Sequence, residues 1–204
     1  MLVLICACCV AVWLWPVVDG KNMDMVQIWK HEHLHWGPRM SSNFEIVYGL
    51  LNIFSGNSVT PFLLKRLTAR QFTTLTNLTN TVGFFMRGAA ERGSLFLAAA
   101  VPMMPGVNGA HASALKSIAT SHAERDGIGL GEFSAWTNNL RAIAGAIASW
   151  AYASYYAFCV RRQIFPGTMF MVMGTLGAFV PQLLLTFLVS DDELEVSKGK
   201  AVAK

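Results

Sequence analysis

The chain has 204 residues, of which 53% are apolar and only 14% are charged, and its formal net charge is +4. A soluble domain usually carries about 25% charged residues, so this composition, with a mean hydropathy of +0.42, favours lipid as the solvent. The positive charges are spread over short polar segments and form no basic stripe interleaved with aromatic side chains. This pattern argues against a nucleic-acid partner.

Six apolar stretches approach the length of about 20 residues that a helix needs to cross the ~30 Å hydrocarbon core of a bilayer. In chain order they cover residues 2–18, 44–64, 72–86, 94–115, 133–158 and 165–189. The connections are polar and mostly short, and residues 191–204 form a polar C-terminal tail. The sequence therefore predicts an all-α, polytopic membrane protein whose residues 1–190 form one bundle of about six transmembrane helices.

Two of the six stretches differ from an ordinary membrane helix. The first is N-terminal, and its alternative interpretation is a secretory signal peptide; however, no Lys or Arg precedes Leu2, and Trp13 and Trp15 stand where a small-residue cleavage site belongs. The third is rich in threonine and asparagine between Thr73 and Thr81, so we expect neighbouring helices to cover part of it. An even number of spans predicts that both termini lie on one side, whereas the evenly divided positive charges do not indicate which side.

The candidate binding residues lie inside the predicted spans. Arg141 lies well within the fifth span, and Asn138, three residues back, shares its helix face. A cation at the bilayer centre costs roughly 3–15 kcal/mol, so we expect Arg141 to face the bundle interior and to contact an anion, a substrate or a coupling proton. The alternative is that Arg141 snorkels towards the polar linker before the span. Asn108 and His111, near the end of the fourth span, are further candidates for a cavity, and His111 for proton coupling.

The loop before the second span contains an alternating histidine segment. His31, His33 and His35 have a spacing that an extended segment could use to bind a divalent ion. The flanking Trp29 and Trp36 favour the alternative, a segment at the membrane interface, where tryptophan is enriched. The sequence contains no paired carboxylates inside a span, no phosphate-binding glycine loop and no Ser/His/Asp arrangement, so it predicts neither an enzyme nor a cofactor.

Several loop motifs follow one another in a recognisable order. The basic turn at residues 61–70 (Pro-Phe-Leu-Leu-Lys-Arg-Leu-Thr-Ala-Arg) is followed by the Pro-Gly pair at 105–106 and by the linker at 124–131 (Glu-Arg-Asp-Gly-Ile-Gly-Leu-Gly). In this order they resemble the C-terminal half, helices seven to twelve, of a major facilitator superfamily transporter of the tetracycline-efflux-like branch. The resemblance covers roughly residues 1–190. In many relatives an arginine stands at the place of Thr137, one turn before Arg141.

The resemblance implies transmembrane transport of a small solute by alternating access, coupled to an ion such as the proton. It implies that Lys65, Arg66, Arg70, Glu124 and Arg125 belong to loops that move with the conformational change. It also implies a half or fragment that works with a second six-helix half. The first and fourth spans would then line the cavity, the second and fifth would contact the partner half, and the third and sixth would face lipid. The rival hypothesis is a non-transporting membrane protein that serves interaction or regulation. The sequence identifies neither the solute nor the membrane.

Overall fold

The structure, a computed structural model, describes residues 23–188, and all regular secondary structure within this range is helical. The all-α prediction is therefore confirmed for the described residues. The predicted first span at 2–18, both chain termini and the C-terminal tail lie outside them.

One short helix is followed by five longer ones, three of which are interrupted. The short helix is α1 (Met23–His33), and the second is built from α2 (Pro38–Phe54), the π-helical segment π1 (Ser55–Val59) and α3 (Thr60–Arg66). The third is α4 (Ala69–Gly88), and the fourth is built from α5 (Gly93–Ala98), α6 (Ala100–Met103), a 3₁₀ segment (Met104–Gly109) and α7 (Ala110–Arg125). The fifth is α8 (Leu130–Arg161), and the sixth is built from α9 (Thr168–Gly174), the π-helical segment π2 (Thr175–Phe179) and α10 (Val180–Leu188). The five apolar stretches predicted after the first each fall on one of the longer helices.

Short, well-defined turns make successive helices antiparallel. Thr68 caps α4 reciprocally with Gln71: the Gln71 backbone N–H donates to Thr68 Oγ1 over 3.2 Å, and the Thr68 backbone N–H donates to Gln71 Oε1 over 3.0 Å. Gly127 ends α7 with a φ of +79°, a left-handed conformation that only glycine adopts without strain. These local devices explain why the polar linkers of the sequence become tight turns.

The segment before the second apolar stretch is a helix and not the connecting loop that its polarity predicts. Helix α1 is held by tertiary contacts: the fully buried Trp29 stacks on Phe96 with ring centroids 5.3 Å apart and meets Phe170 edge-on at 4.9 Å. The prediction for this segment was wrong because its burial depends on partners from α5 and α9, which are distant in sequence.

The polar third helix, α4, lies inside the bundle with its polar side covered. Thr73, Thr76 and Asn77 are buried, whereas Leu78 and Val82 on the other side are exposed. Helix α9 packs closely on the buried side of α4, where Gly88 lies against Met171 and Gly174 lies against Phe84.

Two helices of the described part have both the length and the composition to cross a membrane by themselves. They are α8, with 32 residues, and the 20 residues of Thr168–Phe187. Gly93–Gly106 is a shorter apolar helix.

Candidate functional site

The three interrupted helices lose regular α-helical geometry at the same height of the bundle. The hydroxyl of Ser55, in π1, donates to the carbonyl oxygen of Met104, at the start of the 3₁₀ segment. Gly106, in the same 3₁₀ segment, lies against Asn80 of α4. Gly174, just before π2, lies against Phe84, one turn further along α4. We call π1, the 3₁₀ segment and π2 the middle layer.

In both π-helical segments of the middle layer, the second residue after the segment is a proline. The Thr60 N–H donates to the Ser55 carbonyl, five residues back, and the next residue is Pro61. The sixth helix repeats this pattern, with the bond from Val180 to Thr175 and then Pro181. Since a proline has no N–H and its ring clashes with the carbonyl four residues earlier, the chain widens by one residue just before it. The prolines explain where the two helices are interrupted.

The fourth helix is interrupted at a different pair of prolines, Pro102 and Pro105, between which α6 gives way to the 3₁₀ segment. The Met104 carbonyl finds its donor on another helix, at Ser55. A Cβ at Gly106 would lie 2.6 Å from Asn80 Nδ2, so a larger residue at this position would displace the Asn80 side chain. Polar groups of three helices thus meet at an unwound stretch of backbone.

A second polar group joins α4 to the last helix. Asn77 Nδ2 donates to Gln182 Oε1 over 3.1 Å, and Gln182 Nε2 donates to Thr74 Oγ1 over 3.0 Å and to Thr186 Oγ1 over 3.1 Å. Asn77 is 1% exposed, and its Oδ1 has no hydrogen-bond partner among the described residues. These four side chains form the amide network, which the sequence alone did not reveal.

Arg141 lies on the inward side of α8 and is nevertheless exposed. Its neighbours one turn before and after, Thr137 and Gly145, are buried, as is Ala148 two turns on, so the register places Arg141 on the same face. Its own side chain and that of Asn138 are exposed. The register therefore places Arg141 on the side of α8 that carries Thr137 and Gly145, and its expected contact with a solute or a coupling ion stays a prediction.

The other predicted residues are not gathered around Arg141. The backbone of Asn108 lies in the 3₁₀ segment and that of His111 in α7, while their side chains are outside the described part of the structure. The basic and acidic loop residues stand at the end of the bundle where α3 turns into α4 and α7 turns into α8. They are Lys65, Arg66, Arg70, Glu124 and Arg125.

The histidine segment is helical up to His33 and not extended. His31 is exposed, and His33 packs against Phe165 and Trp29 with ring centroids 6.0 and 5.7 Å away. Between residues 23 and 188 no group of three His, Cys, Asp or Glu side chains is arranged to hold a metal ion.

At the end of the bundle where α1 packs, the structure contains charged residues that the sequence did not single out. Lys30 of α1 is fully buried, and its Nζ lies 2.5 Å from Glu45 Oε1 of α2 and 4.7 Å from the centre of the Phe44 ring. The neighbouring Glu32 accepts a hydrogen bond from the Tyr156 hydroxyl of α8. An ion pair with Glu45 therefore holds α1 against α2, and a hydrogen bond to Glu32 holds it against α8. The sequence offered one sign of this, the amphipathic spacing of Met25, Trp29 and His33.

Comparisons with known proteins supply no identity for this arrangement. No protein-family model matches the chain, and neither the curated proteins nor the solved structures contain a match to it.

Proposed function

We propose that this protein is a multi-pass membrane protein that forms one half of a secondary transporter of the major facilitator type. The observation that carries the membrane part of the proposal is the inverted polarity of its helices. Helix α4 buries Thr76 and Asn77 and exposes Leu78, Val82 and Phe85. In water the opposite distribution is favoured, because exposed apolar side chains cost free energy and buried amides need partners.

The last helix also buries a polar side chain. Gln182 is buried against α4 together with apolar side chains such as Met173 and Leu185, whereas Leu176, Phe179, Leu183 and Phe187 are exposed. The amide network then acts as polar glue between helices, which is typical of membrane bundles, where lipid tails compete with every apolar contact.

The exposed side chains of the fifth helix also favour lipid over water as the surroundings of the bundle. Trp136, Ile143, Ile147 and Trp150 are exposed along one side of α8. A stripe of this kind on a 32-residue helix matches the hydrocarbon interior of a bilayer better than water.

The middle layer supports transport over a purely structural role. Transporters use interrupted helices near the bilayer midplane because unwound backbone offers polar groups to a solute and allows helices to bend. Three of the five longer helices are interrupted at one height, and on α8 both Arg141 and Asn138 are exposed, with Arg141 in register with the buried Thr137 and Gly145. We assign the solute contact to this face, with Arg141 as an anion or coupling-ion contact.

The proposed mechanism is alternating access against a second six-helix half, supplied by another chain or by a longer product. The rival function is a membrane protein of the same fold that does not transport and serves interaction or regulation. The two differ in one measurable property: a transporter exposes its solute-contacting face to both sides of the membrane in turn, whereas an interaction protein has no reason to do so.

The membrane part is tested with single-tryptophan variants in bilayers of lipids with brominated chains. We expect Trp150, which is 72% exposed, to be strongly quenched, and the fully buried Trp29 to be quenched far less. Equal, weak quenching of both would contradict insertion and with it the whole proposal.

The transport part is tested by thiol labelling in sealed vesicles, with the native cysteines replaced. We expect Asn138→Cys to react with a membrane-impermeant maleimide added on either side, and Ile147→Cys, on the apolar stripe, to react from neither. Reaction of Asn138→Cys from one side only would favour the non-transporting rival.

A further inference from the structure

Arg87, in the last turn of α4, is a buried cation held by aromatic rings. It is 8% exposed, and its guanidinium carbon lies 5.2 Å from the centre of the Tyr48 ring and 5.3 Å from that of Phe96. The two rings come from α2 and α5, so the guanidinium is enclosed where three helices meet at the α1 end of the bundle.

The rings are the partners that the described structure provides for this side chain. Within residues 23–188, Arg87 makes no salt bridge, and its Nε is buried without a hydrogen-bond partner. The nearby Glu45 is engaged by Lys30 at 2.5 Å, and Glu91, in the following turn, is exposed. Among the described carboxylates at this end, Glu45 is paired with Lys30 and Glu32 accepts a hydrogen bond from Tyr156, so neither compensates the charge of Arg87.

An arginine side chain carries a permanent positive charge, so the buried charge of Arg87 has to be compensated by another group. Cation–π contacts stabilise the charge from the faces of the rings but leave the N–H donors in the guanidinium plane unused. Buried donors without acceptors are strongly disfavoured. An additional acceptor that carries negative charge would satisfy both requirements.

We propose that Arg87 is the centre of an anion-binding site that takes a phosphate-class oxyanion. The planar guanidinium fork matches two oxygens of a phosphate, and the aromatic walls exclude water and so strengthen the contact. Arg87 is one residue from the end of α4, at the height where lipid headgroups lie if α4 spans a bilayer. The oxyanion is therefore either the phosphate of a phospholipid or a soluble phosphate group.

This site lies apart from the solute face that we assign to α8, and its existence does not require transport. Arg92, five residues after Arg87, provides a control because its side chain is exposed whereas that of Arg87 is buried. Replacing Arg92 removes the same charge from the same end without touching the enclosed guanidinium.

The first experiment is thermal unfolding of the purified, delipidated full chain in detergent, with inorganic phosphate added against sodium chloride of equal ionic strength. We expect phosphate to raise Tm by about 2–4 °C once its concentration is about five times Kd, in the wild type and in Arg92→Gln. We expect Arg87→Lys to lose most of the rise and Arg87→Gln all of it. An equal rise with chloride, or the same rise in Arg87→Gln, overturns the site.

The second experiment separates the two sources by measuring phospholipid that remains bound after detergent exchange. Wild-type protein that retains lipid, responds to phosphate only after complete delipidation, and loses the lipid in Arg87→Lys supports a headgroup site. Protein that retains no lipid but responds to phosphate supports a soluble oxyanion. Wild-type protein that neither retains lipid nor responds to phosphate overturns the proposal, whatever the stability of the variants.

Discussion

Replacing Gln182 by methionine removes the amide that joins α10 to α4 while keeping nearly the same side-chain shape. Two interhelical hydrogen bonds disappear, those with Asn77 and Thr74. Such bonds average about 0.6 kcal/mol in membrane proteins and reach about 1.7 kcal/mol. A buried donor left without an acceptor, here Asn77 Nδ2, adds about 1–3 kcal/mol. We therefore expect Gln182→Met to lower the free energy of unfolding by about 2–3 kcal/mol.

The double variant carries the sharper test. In Asn77→Leu/Gln182→Met both amides are replaced by apolar groups, so no amide is left unsatisfied, and the pair should recover about 1–2 kcal/mol of the summed single effects. The assay is reversible unfolding in mixed micelles, followed by tryptophan fluorescence. Leu183→Met, on the exposed side of the same helix, serves as the control and should change stability by less than about 0.5 kcal/mol.

Additivity would refute this reasoning. If the double variant is destabilised by the sum of the single effects to within about 0.5 kcal/mol, the two amides do not act as a unit. The amide network would then be a coincidence of neighbouring polar side chains.

Two further perturbations follow from the packing. The ion pair predicts an asymmetry: Glu45→Ala should destabilise the protein more than Lys30→Met. Glu45→Ala leaves the Lys30 side chain, which is 0% exposed, buried without its partner, whereas Lys30→Met leaves the Glu45 side chain, which is 35% exposed and can be hydrated. Only Glu45→Ala should approach the ~3–5 kcal/mol of a broken buried pair, and the reverse order of Tm values would contradict this. Gly167→Ala should cost at least about 3 kcal/mol, because its Cβ would lie 2.2 Å from the carbonyl oxygen of Gly88. Its control is Gly49→Ala, which meets nothing within 4 Å and should be neutral or stabilising by up to about 1 kcal/mol; equal losses of folded protein in the two variants would argue against the close approach of α4 and α9.

Much of the helical framework could be predicted because its causes are local. Apolar runs of sufficient length form helices, Thr68 and Gln71 cap α4 from three residues apart, and Pro61 and Pro181 interrupt the helices in which they stand. Each of these effects acts within about one turn of chain, so the order of the residues is enough to locate it.

The candidate sites depended on partners that sequence order does not bring together. Asn77 meets Gln182 from 105 positions away, and Arg87 lies between rings of two other helices. For Arg141 the sequence indicates a face of α8, but whether the bundle covers that face depends on every neighbouring helix.

The clearest division concerns Lys30 and Arg87. From the sequence alone, Lys30 belongs to the polar segment before the second apolar stretch and Arg87 directly follows the third, so both charges are expected to reach water. The packing of α1 on α5 and α9 buries the first, and the meeting of α2, α4 and α5 buries the second. Local sequence determines that a helix forms, because its hydrogen bonds are local; which of its charges are removed from water is decided by the other helices that close over them.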